Sequence, residues 1–195
     1  MGRCLWTRGR EFATIAAYWK SLSFNIHHRG LAMNAKDAFK LSMDMSDFVL
    51  KTYVSDLTDA ELLTHAVKGV NHLAWQLGHL ISSEQQLRSA ISPGAGAELP
   101  AGFAEQHSKE TTGVDDPKKF LTKARYVELY EQQRRATKAA LDKLAESDFD
   151  KPGPEQFKDF APTVGAMFNL LACHPMMHAG QFATARRALG KPVLI

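Results

Sequence analysis

The chain has 195 residues, 45% apolar and 23% charged, enough for one domain with its own core, since a domain near this size buries roughly 70% of the surface its unfolded chain exposes. Its net charge of +3 is uneven: residues 1–32 carry Arg3, Arg8, Arg10, Lys20 and Arg29 against Glu11 alone, and the remainder holds 19 basic and 20 acidic residues. A domain without a basic excess gives no electrostatic footprint for a phosphate backbone, which excludes nucleic acid as the expected partner, and no apolar run approaches the ~20 residues of a membrane-spanning helix.

The leading segment, MGRCLWTRGREFATIAAYWKSLSFNIHHRGLA, shows no apolar periodicity and lacks the compact apolar stretch and cleavage site of a secretory signal. It reads as a non-domain extension over residues 1–32, either a start assigned too early, with translation beginning at Met33, or an Arg-rich targeting segment. The domain proper then spans residues 33–195. Two cysteines, Cys4 and Cys173, provide neither a disulfide framework nor a cysteine-rich zinc site, so the expected setting is the reducing cytoplasm.

From Met33 the apolar spacing becomes helical, and four long helices are predicted with no strand pairing required. The first covers about residues 35–54, where Phe39, Met43, Phe48, Val49 and Tyr53 approximate one stripe. A short helical turn follows, with Thr58 and Glu61 as a capping box. The second helix covers about residues 71–90, with Asn71 as its N-cap and Pro93-Gly94 as its stop. A loop rich in glycine and proline then runs to about Asp116. It is predicted to be irregular, and its length suits either a lid or a surface insertion.

The third helix covers about residues 122–146, with Tyr126, Leu129, Tyr130, Ala136, Ala140, Leu141 and Leu144 inward and its charges on a solvated outer face. After the connection KPGPEQFKDFAP, Thr163 is placed to cap the last helix, which ends near Gly190 with Pro192 just beyond. The predicted fold class is all-α, a four-helix bundle with a long loop between the second and third helices.

The stretch HPMMHAGQ in the last helix sets His174 and His178 four residues apart, with Gln181 on the same face at ~100° per residue. Met167, Leu170 and Leu171 before the pair, with Phe182 and Leu189 after it, put the histidines at the border of the buried face. Bundles build metal sites from side chains on facing helices. The second helix offers a third imidazole: His79 in WQLGHL, beside a Gly78 that lets another helix approach, or His72, one heptad earlier on nearly the same face.

Three neutral imidazoles leave one or more coordination positions for water or substrate, as catalytic zinc sites do, and zinc, nickel and iron all suit such ligands. Pro175 removes one helix hydrogen bond and is predicted to kink the helix beside His174, with the freed carbonyl bonding water. Cys173 points about 100° away from His174 and reads as a small packed apolar group. Gln181 reads either as a donor that orients a ligand or bound water, or as a plain interhelical hydrogen bond.

The same two blocks carry a resemblance to the DinB-like family, which includes mycothiol- and bacillithiol-dependent enzymes. NHLAWQLGHL is similar to that family's Asn-x-x-x-Trp-x-x-x-His second helix, and TVGAMFNLLACHPMMHAGQFATARRALGKP to its last helix with His-x-x-x-His-x-Gly-Gln. The resemblance covers nearly all of residues 35–192. It implies a metal-binding four-helix bundle in which His79, rather than His72, joins His174 and His178 around a divalent ion. It also implies a small-molecule substrate, a low-molecular-weight thiol that the metal activates for S-transfer, and a homodimer as an assembly common in such families.

Two other readings stand beside that one. Metal-bound hydroxide would make the protein a hydrolase, but no glutamate adjoins the pair as in His-Glu-x-x-His, so hydrolysis ranks below transfer. A non-catalytic metal- or ligand-binding protein is the third, because a fold and three ligands do not establish turnover. Of the other histidines, His72 reads as an end-of-helix residue, and His27, His28, His65 and His107 as surface residues.

Overall fold

Asn34 opens the bundle: its Oδ1 accepts from the Asp37 amide at 2.9 Å, satisfying one of the amides that a helix start leaves unpaired. This is a computed structural model, and it describes residues 33–96 and 98–195. The expected extension over residues 1–32, with His27 and His28, lies outside the described residues. Helix α1 spans Ala35–Val54 and buries Met43, Val49, Leu50, Tyr53 and Val54 along one side. The Thr58 amide donates to Glu61 Oε2 at 2.8 Å and the Glu61 amide to Thr58 Oγ1 at 3.2 Å, the predicted capping box, which leads into a 3-10 turn over Glu61–Leu63.

Helix α2 spans Leu73–Ile91. Its cap is His72, whose Nδ1 accepts from the Trp75 amide at 3.1 Å, and not Asn71 as the sequence suggests. Asn71 is occupied otherwise, with its side-chain oxygen on the Gly113 amide at 3.3 Å. The connection that follows is more ordered than its glycines predict. It contains a short helix α3, Phe103–Gln106, and 3-10 turns at Lys109–Thr111 and Pro117–Lys119.

Two buried anchors explain that order. Phe103 and His107 are 2% and 1% exposed, so His107 is a core residue and not a surface one. Its Nδ1 lies 2.8 Å from Phe103 O and its Nε2 2.8 Å from the Tyr126 hydroxyl. The ring rests on Gly78, where an added Cβ would fall 2.0 Å from His107 Cδ2. The close approach that Gly78 permits is therefore that of an imidazole from the loop, not of another helix. His65 is half-buried between Val70 O and Asp115 Oδ1, at 2.6 and 3.0 Å.

Helix α4 spans Lys123–Asp142, capped by Thr122, and α5 spans Val164–Ala188, capped by Thr163 Oγ1 on the Ala166 amide at 3.1 Å. The end of α5 is a Schellman turn: Gly190, at φ +70°, lets the Lys191 amide reach Arg186 O at 2.9 Å. Among the described residues no strand forms, only an isolated bridge between Pro152 and Thr163. Helix α1 packs chiefly on α5, α2 lies between α4 and α5, and α1 touches α4, so the four long helices form a closed ring with α1 and α2 at opposite corners. No helix of the described residues is long and apolar enough to cross a membrane.

Candidate metal centre

The seam between α2 and α5 carries the imidazoles. His79 faces α5 from the second turn of α2, and His174 and His178 face back, so that one ring nitrogen from each lies within 4.8 Å of the others. The ring centroids are 5.2 Å apart for His79 and His174, 5.4 Å for His79 and His178, and 4.9 Å for His174 and His178. The Nε2 atoms of His174 and His178 stand 3.2 Å apart. Two imidazoles on one ion at ~2.0–2.1 Å would hold their nitrogens roughly 3.3 Å apart in a tetrahedron, so this spacing fits a shared cation.

The tautomer of His178 follows from its neighbours. Gln76 Nε2 donates to Asn71 O at 2.7 Å, which turns the amide oxygen toward His178, where it lies 3.1 Å from Nδ1. An oxygen there requires the proton on Nδ1 and leaves the Nε2 lone pair directed at the other histidines. His79 is fixed differently. Its ring stacks on Trp75 at 5.2 Å and 9°, and the Trp75 indole N–H donates to Thr111 Oγ1 at 3.0 Å, which ties the ligand helix to the long loop.

Burial keeps all three rings neutral. Desolvation pushes His178 down to about 3, helped by the nearby His174 and His79, and His174 down to about 4, helped by His79 and Arg134. His79 is also lowered, by burial first and then by Lys109. Unprotonated imidazole is the form that ligates a metal. Among the described residues the cluster contains no carboxylate, so an ion here would keep its full charge.

Several expectations change at this point. Gln181 is half-buried further along α5, and the residue that hydrogen-bonds the His178 ring is Gln76 of α2, which helical spacing did not single out. Its signal was present, since Gln76 sits one residue after the tryptophan of the Asn-x-x-x-Trp block, but nothing in the spacing says which helix it meets. His72, by contrast, is the end-of-helix residue expected: it caps α2 and points its Nε2 at Val114 O, 3.1 Å away, so it takes no part in the cluster. Cys173 is exposed rather than packed. The carbonyl that Pro175 frees, that of Leu171, is bonded by Arg134 Nη1 at 3.0 Å rather than left for water, and α5 runs unbroken across the proline.

Arg134 also revises the view of α4 as a helix whose charges are all solvated. It is 3% exposed and lies against Asp47, Glu84 and the Tyr130 hydroxyl.

The fold is similar to that of a conserved protein from Enterococcus faecalis whose crystal structure is known, with a TM-score of 0.62 and 19% identity, covering 82% of this chain and 100% of that one. No curated protein matches the sequence. The DinB superfamily matches over residues 49–182, a span that runs from the end of α1 through His79 and both histidines of α5. The bundle, the order of its helices and the histidine blocks thus have one explanation: the chain belongs to the DinB superfamily.

Proposed function

We propose that His79, His174 and His178 hold one divalent cation, zinc, nickel or iron, and that the protein is a thiol-dependent S-transferase acting on a small molecule in the cytoplasm. The observation that carries this reading is the convergence of three neutral imidazoles with no carboxylate among them. A divalent ion there supplies positive charge that lowers the pKa of a thiol and presents it as a nucleophile at neutral pH. Gln76 and Asn71 hold His178 in the ligating tautomer, and Trp75 holds the plane of His79.

Transfer is favoured over hydrolysis because, among the described residues, no acidic side chain stands in the cluster to take a proton from water. The superfamily also includes enzymes that use low-molecular-weight thiols. The test begins with metal analysis of the purified protein. Metal-loaded protein is then assayed with glutathione, bacillithiol and mycothiol against chlorodinitrobenzene and monochlorobimane, beside an ester and a lactone. Thiol-dependent turnover that His178→Ala abolishes is the expected result. Turnover of the ester or lactone alone makes the protein a hydrolase, and silence across both panels with metal bound makes it a binding protein.

A further inference from the structure

Proline at position 175 has no amide proton, so Leu171 O lacks the donor that a helix supplies four residues on. Such a gap commonly bends or breaks a helix, yet α5 continues from Val164 to Ala188. The replacement donor comes from α4, with Arg134 Nη1 at 3.0 Å from Leu171 O in a buried contact. On its other sides the same guanidinium meets Asp47 Oδ1 of α1 at 2.8 Å, Glu84 Oε1 of α2 at 3.3 Å and the Tyr130 hydroxyl at 3.1 Å. One planar fork therefore joins α1, α2 and α4 to the turn of α5 that leads into His174, and a charged donor bonds a carbonyl more strongly than a neutral one.

We propose that Arg134 is a positioning residue for the histidine cluster, an inference that rests on the metal reading above. By taking the carbonyl that Pro175 frees, it sets the turn from which His174 reaches His178 and His79. The proline and the arginine are then one device: the proline opens the acceptor, and the arginine closes it from a neighbouring helix. With the proline and without the arginine, Leu171 O is left as a buried acceptor lacking this donor, which is the costly state for a polar group in a protein interior.

The experiment is a double-mutant cycle in the full chain with Arg134→Lys and Pro175→Ala. Lysine keeps a positive charge facing Glu84 and Asp47 but lacks the fork, and alanine restores the amide that bonds Leu171 O within the helix. Cobalt(II) is the probe, its affinity read by chelator competition and its ligand geometry by visible absorption, with urea unfolding of the metal-free protein as a second readout. With Pro175 present, Arg134→Lys weakens cobalt binding about tenfold and alters the spectrum, and in the Pro175→Ala background the loss falls below about threefold. Unfolding midpoints follow the same pattern.

Equal losses in the two backgrounds overturn the positioning role while leaving the metal site intact. A wild-type protein that binds no cobalt overturns both the site and the role. If Arg134→Lys fails to fold in either background, Pro175→Ala alone decides. The Arg134 guanidinium proton resonances then shift as residue 175 competes for Leu171 O, and unshifted resonances sink the proposal.

Discussion

Gln76 acts on His178 from 102 residues away in sequence, and it does so because its own amide is turned by Asn71. Groups that hold a ligating imidazole through its second nitrogen commonly contribute 10- to 100-fold to metal affinity. Gln76→Leu, similar in size but unable to accept, should weaken metal binding by about that factor, whereas Gln181→Leu should change it by less; chelator competition measures both. Acidity bears on the same residues. Burial holds His174 at about 4 and His178 at about 3, whereas unfolded histidine titrates near ~6.5. Between these values the unfolded chain binds more protons, so the stability of the metal-free protein rises with pH from about 3 to about 6.5 and levels off above. Urea unfolding after chelator treatment checks the sign, and a midpoint that falls with rising pH in that window contradicts it. Metal retention should likewise fall as the pH falls, because protonated imidazole does not ligate.

At the scale of elements, capping and connection matter most. Thr163 opens the helix that carries two of the three histidines, and its cap bond spans 3.1 Å. Thr163→Ala should lower stability by about 1 kcal/mol, with little effect on cobalt affinity, because the cap lies 11 residues before His174. The Gly78 contact predicts a larger effect. A methyl there would fall 2.0 Å from a ring that is itself held by Phe103 O and Tyr126, so it cannot swing aside without losing bonds. Gly78→Ala should destabilise by about 1–3 kcal/mol, as overpacking does, and Gly78→Ala with His107→Ala should lose less than the two single losses combined. Thermal unfolding of the three variants distinguishes this from additivity. Caps were legible in the sequence at Thr58 and Thr163 because each serves an amide three residues on. The cap of α2 was displaced from Asn71 to His72 because Asn71 is used by Gln76 and Gly113, contacts no local rule describes.

For the whole molecule, the ring of four helices sets the site on one seam, and any ion there bridges α2 and α5. A ligand bound only to the folded state stabilises it by mass action, about 2.7 kcal/mol at a free concentration one hundred times its dissociation constant. Metal should therefore raise the unfolding temperature and a chelator should lower it. The triple variant His79→Ala, His174→Ala and His178→Ala should show neither response. Two buried regions support this frame. One is built around Leu50, Tyr53, Leu77, Ile81, Tyr126 and Phe182, and the other around Met43, Leu87, Leu141, Met167, Phe168 and Leu171. Arg134, Glu84 and Asp47 join α4 to α2 and α1 as a largely buried ionic cluster.

What the sequence by itself determined was local: the four long helices, most of their ends, and the placing of His174 and His178 on one face, since each follows from a 3.6-residue period or a cap acting within one turn. The choice of His79 over His72 came from the resemblance, and the tertiary structure gives its reason, one histidine facing α5 and the other spent as a cap. Only the tertiary structure decided that Gln76 meets His178, that His107 fills the space over Gly78, and that Arg134 takes the carbonyl opened by Pro175. Each joins residues that periodicity treats as independent, and their meeting depends on how the helices are rotated and set against one another.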